Sequence, residues 1–174
     1  GLATVTVTDD NGCFVDVDVI LTDPPVLTAS IVGTDPLCNA GTDGSADLTV
    51  VGGTGAYSYL WDNTATSEDI SGLAAGTYNV SVTDANGCIA LADVTLTEPD
   101  AIVLTPSSTD ANCGQADGEV CVTVTGGTVA ADYTYLWNDV NASTTACASN
   151  IVAGSYDVNV TDDNGCPATV NVTI

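Results

Sequence analysis

Seven cysteines carry most of the reactive chemistry of this chain, and five of them fall on a period. Cys13, Cys88 and Cys166 each close the string V-x-V-T-D-x-N-G-C, at spacings of 75 and then 78 residues, while Cys38 and Cys113 stand 75 apart. None lies in a C-x-x-C arrangement and the chain has no histidine, so zinc-thiolate chemistry lacks its usual ligand pattern. Disulfide formation remains, and it implies an oxidising, extracellular setting. Cys121 and Cys147 have no counterparts in the preceding copy, where Asp47 aligns with Cys121, and they are expected to bond to each other.

Oxygen ligands form a second candidate set. Each recurring D-x-N-G turn offers carboxylate and amide oxygens, and each junction between copies offers an acid before proline. Asp84 and Asn86 with Asp23, and Asp162, Asp163 and Asn164 with Glu98, are therefore candidate calcium ligands. Turn preference explains the same residues without a metal, and no EF-hand spacing is present. Four sequons, at Asn79, Asn141, Asn159 and Asn171, are candidate glycosylation sites, and alternation turns the three on strands outward. Paired acids such as Asp9-Asp10 and Asp162-Asp163 could imitate a glycosidase pair, but they recur in every copy as turn residues. With no Lys, Arg or His, nucleophiles lack their usual activators, and no catalytic residue is assigned.

The charge balance excludes further classes. The 174 residues hold 23 Asp plus Glu against no cationic side chain, a net charge of −23. Nothing can neutralise a phosphate, so nucleic acid is excluded as a partner. No apolar run approaches the ~18 residues of a membrane-spanning helix, so membrane insertion is not expected.

The elements that must position these residues read with a period of two. Val15, Val17 and Val19 alternate with Asp16 and Asp18; Tyr78, Val80 and Val82 alternate with Asn79, Ser81 and Thr83. Turn clusters at Thr42-Asp-Gly44, Gly52-Gly53, Asp62-Asn63, Ala74-Ala-Gly76 and Asp84-Ala-Asn-Gly87 cut the chain into short strands. In the last of these, Asn86-Gly87 suits the positive φ angles of a tight hairpin. Leu73-Ala-Ala-Gly76-Thr-Tyr78 and Val152-Ala-Gly154-Ser-Tyr156 fit the tyrosine corner of an immunoglobulin-like sandwich. The expectation is all-β: tandem immunoglobulin-like β-sandwich repeats of about 75 residues, with strands A (26–33), B (45–51), C (56–61), a short C′ (64–66), E (67–71), F (77–83) and G (88–97). Trp61 and Trp137 on strand C read as core anchors, with a sugar-stacking platform as the alternative.

Gly1 aligns with Gly76 and Gly154, so residues 1–24 correspond to the C-terminal F-G hairpin of an incomplete leading repeat. Residues 25–99 and 100–174 read as complete repeats. The expectation is a window from a longer array; the alternative is that a neighbouring molecule supplies the missing strands.

The order C-N-A-G-T-D-G-S, G-G-T-G-A-Y-S-Y-L-W, I-S-G-L-A-A-G-T-Y and V-T-D-A-N-G-C resembles the SprB-type repeats of Bacteroidetes cell-surface gliding adhesins. That resemblance covers both complete repeats and the leading fragment, and implies large, filamentous, type IX-secreted surface proteins. The third repeat departs from it in its extra cysteine pair and in an insertion between Trp137 and Ile151, and the absence of cations is more extreme than the resemblance implies.

Strand parity supplies an expectation for the remaining cysteines. With A running down and G down, the A-B turn holding Cys38 or Cys113 lies at the lower pole and the F-G turn holding Cys88 or Cys166 at the upper, about 20 Å apart. A disulfide cannot cross that gap. Cys38 is therefore expected to bond to Cys166 of the next repeat, with Cys13, Cys88 and Cys113 paired to partners outside the window. Pairing within repeats, Cys38 to Cys88 and Cys113 to Cys166, is the alternative. The functional expectation is a structural segment of an extracellular filament or adhesin stalk, with neighbouring repeats or copies of the same protein as partners. A carbohydrate-binding module engaging surface glycans is the competing reading. Trypsin, which cuts after Lys or Arg, is expected to leave the reduced and denatured chain intact; any specific tryptic fragment in a mass spectrum contradicts the sequence basis of this reading.

Overall fold

The computed structural model describes residues 1–174, which form β-strands and turns with no helix. β1 (Leu2–Thr8) and β2 (Phe14–Ile20) make a lone antiparallel hairpin. The second copy supplies β3 (Thr28–Thr34), β4 (Gly44–Val51), β5 (Ser58–Trp61), β6 (Ile70–Leu73), β7 (Gly76–Thr83) and β8 (Ile89–Leu96). The third supplies β9 (Val103–Thr109), β10 (Gly118–Thr125), β11 (Thr134–Trp137), β12 (Cys147–Ile151), β13 (Ser155–Thr161) and β14 (Pro167–Thr173). Each complete copy builds two three-stranded sheets, β3-β4-β6 against β5-β7-β8 and β9-β10-β12 against β11-β13-β14. In sandwich lettering these are A-B-E against C-F-G.

Alternation decides what lies between the sheets. Ala46, Leu48, Ile70 and Leu73 face Trp61, Val80, Val82 and Leu96 in one core; Val120, Val122, Ala148 and Ile151 face Trp137, Val158, Val160 and Val172 in the other. Both tryptophans are buried, and each indole N–H is satisfied by a loop carbonyl, Ser67 O at 3.0 Å and Thr145 O at 2.9 Å. They are core anchors, and neither presents a ring face to a sugar. The tyrosine corners form as the sequence implies: Tyr78 Oη donates to Ala74 O at 3.0 Å and Tyr156 Oη to Val152 O at 2.8 Å. A second tyrosine in each copy, Tyr57 or Tyr133, pins the double-glycine loop through Gly52 O or Gly126 O.

Three local expectations change. No C′ strand forms at 64–66, because Thr64 takes a positive φ of 71° and the chain turns back, with Thr64 N donating to Trp61 O and Trp61 N to Ala65 O. Strand E begins at Ile70 instead of residue 67. In the F-G turn only the glycine has positive φ: Gly87 N donates to Asp84 O and Asp84 N to Cys88 O, a turn closed by a glycine bulge and not a two-residue primed turn.

A bulge also resolves a phase conflict at Cys121 and Cys147. By strict alternation Cys147 shares the inward phase of Ile151, while Cys121 points outward. In β12 the pairing jumps from Gly118–Ile151 to Glu119–Ser149, leaving Asn150 as the extra residue at φ 59°. That inverts the phase beyond it, so Ala148 is buried and Cys147 lies opposite Cys121, to which it is bonded at a Cα separation of 4.0 Å. The second copy makes the same jump at Gly72, φ 74°.

One cross-strand bridge exchanges its partners between copies. Asp62 Oδ2 accepts from the Asn79 backbone and side-chain amides at 3.1 and 2.9 Å. In the third copy the carboxylate and the amide change places: Asn138 Oδ1 accepts from Asp157 N at 2.9 Å while Asn138 Nδ2 donates to Asp157 Oδ2 at 3.1 Å. Two carboxylates at these positions would repel and leave an N–H bond unmade. Asn79→Asp is therefore expected to lower the melting temperature by a few degrees, and Asp62→Asn added to it to return the value close to wild type, measured by calorimetry as a double-mutant cycle.

Candidate functional site

The recurring aspartate of the F-G turn is the centre of each upper pole. Asp84 Oδ1 accepts from Asn86 N at 2.9 Å and Cys88 N at 2.8 Å, and its Oδ2 accepts from Thr54 N at 2.9 Å. Asp162 repeats this with Asn164 N, Cys166 N and Thr128 N at 3.0, 2.9 and 2.8 Å. Both side chains are buried. The carboxylate thus shapes its own turn and latches it to the double-glycine loop between strands B and C. Gly53 and Gly127 are required beside it: a Cβ at either would lie 2.8 Å from the aspartate Oδ2, and both take positive φ.

These bonds hold the charge. The Thr54 N–H is the largest influence lowering the Asp84 pKa, acting against burial. For Asp162 burial is the largest single influence and pushes the value up, but the N–H groups of Thr128, Cys166 and Asn164 outweigh it, so the net shift is downward. The lone hairpin keeps part of this arrangement: Asp9 Oδ1 accepts from Asn11 N and Cys13 N, both at 2.9 Å, and no B-C loop engages its other oxygen.

At the junction of the two complete copies the latch meets the A-B loop of the preceding repeat. Cys38 is bonded to Cys166, with Cα atoms 5.6 Å apart across 128 residues of sequence. Asn164 Nδ2 donates to Leu37 O at 2.9 Å beside the bond. The linker is held from both sides. Glu98 accepts from Ala40 N at 2.7 Å and Asn39 Nδ2 at 3.1 Å, while Gly127 N donates to Asp100 O at 2.8 Å. A cavity of about 230 Å³ remains between Cys38, Pro99, Ile102, Gly127 and Cys166.

The calcium candidates therefore sit at the poles, engaged mainly as hydrogen-bond groups. Three of the four acceptor positions on Asp84 and Asp162 are taken by N–H donors, Asp163 Oδ2 accepts from Ala130 N and Ala131 N, and Asn86 Nδ2 donates to Thr54 Oγ1. Asp23 is exposed. The structure does not gather these acids into a three-ligand group. The one cluster of that kind, Glu119 with Cys121 and Cys147, has both sulfurs in a disulfide. Cys13, Cys88 and Cys113 are unpaired and exposed. All four sequon asparagines are exposed; the amides of Asn79 and Asn171 are held by Asp62 and Asp157, those of Asn141 and Asn159 are not.

Sequence reasoning missed the latch. Its trace is the joint recurrence of G-G-T and V-T-D-x-N-G-C in both complete copies, two strings far apart in sequence that the fold brings into contact.

Paired A-B-E and C-F-G sheets with a tyrosine corner define each complete copy as an immunoglobulin-like β-sandwich, and the chain as a tandem array of them. The model of the SprB repeat family matches residues 30–66 and 105–142, one segment in each sandwich, so each sandwich is similar to an SprB repeat over that segment. No curated protein matches the sequence. Among solved structures, the chain is similar to the three N-terminal domains of the highly immunogenic outer capsid protein Hoc of bacteriophage RB49, with 21% identity, TM-score 0.48, and coverage of 86% of this chain and 59% of that one. It is also similar to the N-terminal eight Ig domains of Down syndrome cell adhesion molecule, with 15% identity, TM-score 0.48, and coverage of 99% of this chain and 26% of that one.

Two outcomes test the latch. Asp162→Asn places an NH₂ against backbone donors and is expected to lower the melting temperature by about 5 °C or more, read by calorimetry. Folded-state pKa values below the unfolded value contribute stability that is complete above about pH 4 and is lost as pH falls through the depressed values. Protonation of exposed acids meanwhile relieves repulsion in a chain of net charge −23. The melting temperature is expected to hold or rise from pH 7 to about 4 and to fall below about pH 3.

Proposed function

We propose that this chain is a structural segment of an extracellular filament or adhesin stalk: a rod of sandwiches in which each repeat is covalently stapled to the next. The observation that carries the reading is the Cys38–Cys166 bond, which joins the A-B loop of one repeat to the F-G turn of its neighbour and not two points of one core. A bond so placed adds nothing to a binding loop and secures the one place where a rod is weakest. The hydrogen bonds on both sides of the linker act in the same sense, because they fix the approach of the two sandwiches without an intervening flexible segment. The buried acids are engaged in turn and loop hydrogen bonds, a structural use that fits a stalk role.

Electron microscopy of the native material tests this directly; a rod with a periodic repeat supports it, and dispersed globular particles overturn it. Force spectroscopy gives the mechanical consequence. In the oxidised protein a pull between the termini passes through the Cys38–Cys166 bond and bypasses most of both sandwiches. Cys38→Ser is expected to release an additional extension on the order of 35 nm, at about 3.5 Å per residue, with the Cys121–Cys147 loop remaining closed. Equal extensions for wild type and variant would contradict a load-bearing junction.

A further inference from the structure

The β1–β2 hairpin and the exposed Cys88 thiol are two unfilled halves of one site. The hairpin has the register of the two complete copies, Val5 opposite Val17 as Val80 is opposite Ala92 and Val158 opposite Val170. Its equivalents are covered. Val80, Val82 and Leu96 are 2%, 0% and 2% exposed beneath an A-B-E sheet, whereas Val5 and Val7 are each 57% exposed and Leu21 is 58%. The outer edge of β7 is paired with strand C, and the matching edge of β1 is not paired. Asp9 has the two turn donors of the latch and lacks the third, which the double-glycine loop provides elsewhere.

Cys88 shows the same incompleteness from the other side of the junction. It lines a cavity of about 240 Å³ with Pro24, Pro25, Leu27, Gly53 and Asp84. The matching surface in the third copy, formed by Pro99, Ile102, Gly127, Asp162 and Cys166, holds the Cys38 loop of the preceding repeat in a disulfide. At Cys88 no loop is seated.

We propose that one partner fills both: an A-to-E half of the same repeat type, carrying a cysteine in its A-B loop. Its A, B and E strands would cover Val5, Val7 and Leu21, its C strand would pair with the edge of β1, and its double-glycine loop would complete the donors of Asp9. Its A-B loop would then arrive at Cys88, as the Cys38 loop arrives at Cys166. Bond formation is an exchange with a low-molecular-weight disulfide as oxidant. The Cys88 thiolate attacks the donor disulfide and expels one thiolate; the partner's A-B-loop thiolate then attacks the Cys88 sulfur and expels the second. Two protein thiols are oxidised, one donor disulfide is reduced to two thiols, and the two protons pass to those products. This inference rests on the reading of the chain as an array of stapled repeats and specifies the partner of its first hairpin.

The test extends the full chain. Ala75 precedes Gly76, and Gly1 is the counterpart of Gly76, so a second copy of residues 25–75 fused directly before Gly1 reproduces a natural join. The fusion is refolded with oxidised glutathione, its disulfides are mapped by mass spectrometry, and amide hydrogen exchange is followed. The expected product links the added A-B-loop cysteine to Cys88, keeps Cys38–Cys166, leaves Cys13 and Cys113 as free thiols, and slows exchange in residues 2–8 and 14–20 by about tenfold or more. The proposal is overturned if Cys38–Cys166 forms while Cys88 stays reactive and the hairpin exchanges as in the parent. A Cys88–Cys113 link between two copies also overturns it, since a whole copy would then be the occupant. The native-material and force measurements judge the rod independently, so a failure here with a rod observed there removes the partner and not the stalk.

Discussion

A carboxylate surrounded by backbone N–H groups holds each upper pole together, and the chain's composition makes that solution necessary. With no lysine, arginine or histidine, a buried aspartate cannot be neutralised by a salt bridge. Peptide dipoles take the role of the cation. Asp84 and Asp162 gather donors from their own turn and from a loop 30 or more residues away, so one side chain sets the F-G hairpin and the B-C loop, and at Asp162 the platform that receives the preceding repeat. Satisfied in this way, a negative group strengthens the fold without a partner side chain and in spite of burial.

Much else is built on that platform. Cys166 follows the latch in sequence, and its own N–H is one of the bonds that shape the turn, so the aspartate positions the sulfur that receives Cys38. Asn164, two residues after the aspartate, reaches the same A-B loop. Hydrogen bonding, turn geometry and covalent stapling therefore converge on five consecutive residues, Asp162 to Cys166. This explains why V-T-D-x-N-G-C is the string that repeats with least change.

The sequence exposed the architecture well and its local exceptions poorly. Alternation and turn residues placed the sandwiches because both are short-range properties: Val80 and Val82 announce a buried face within three residues. The pairing of Cys38 with Cys166 followed from strand parity, since the poles of one sandwich are too far apart for a disulfide. Three features were less legible. Asn150 and Gly72 each insert one extra residue and reverse the phase of strand E, and nothing in an alternating string marks such a position except the residue's tolerance of positive φ. The latch joins strings separated by some 30 residues, a relation that periodicity does not encode. The exchange between Asp62–Asn79 and Asn138–Asp157 was visible only after strands C and F were paired, because each residue alone reads as an ordinary turn or surface position.

The junction bond also changes what damage to the chain means. Cys38 and Cys166, 128 positions apart in sequence, close the chain between them into a single covalent ring, and a ring must be opened twice before it separates. A single peptide-bond cleavage anywhere between those two residues leaves the resulting pieces joined through sulfur. The largely exposed loops 62–69 and 138–146 lie inside that ring. Within the ring, continuity then no longer depends on an intact backbone.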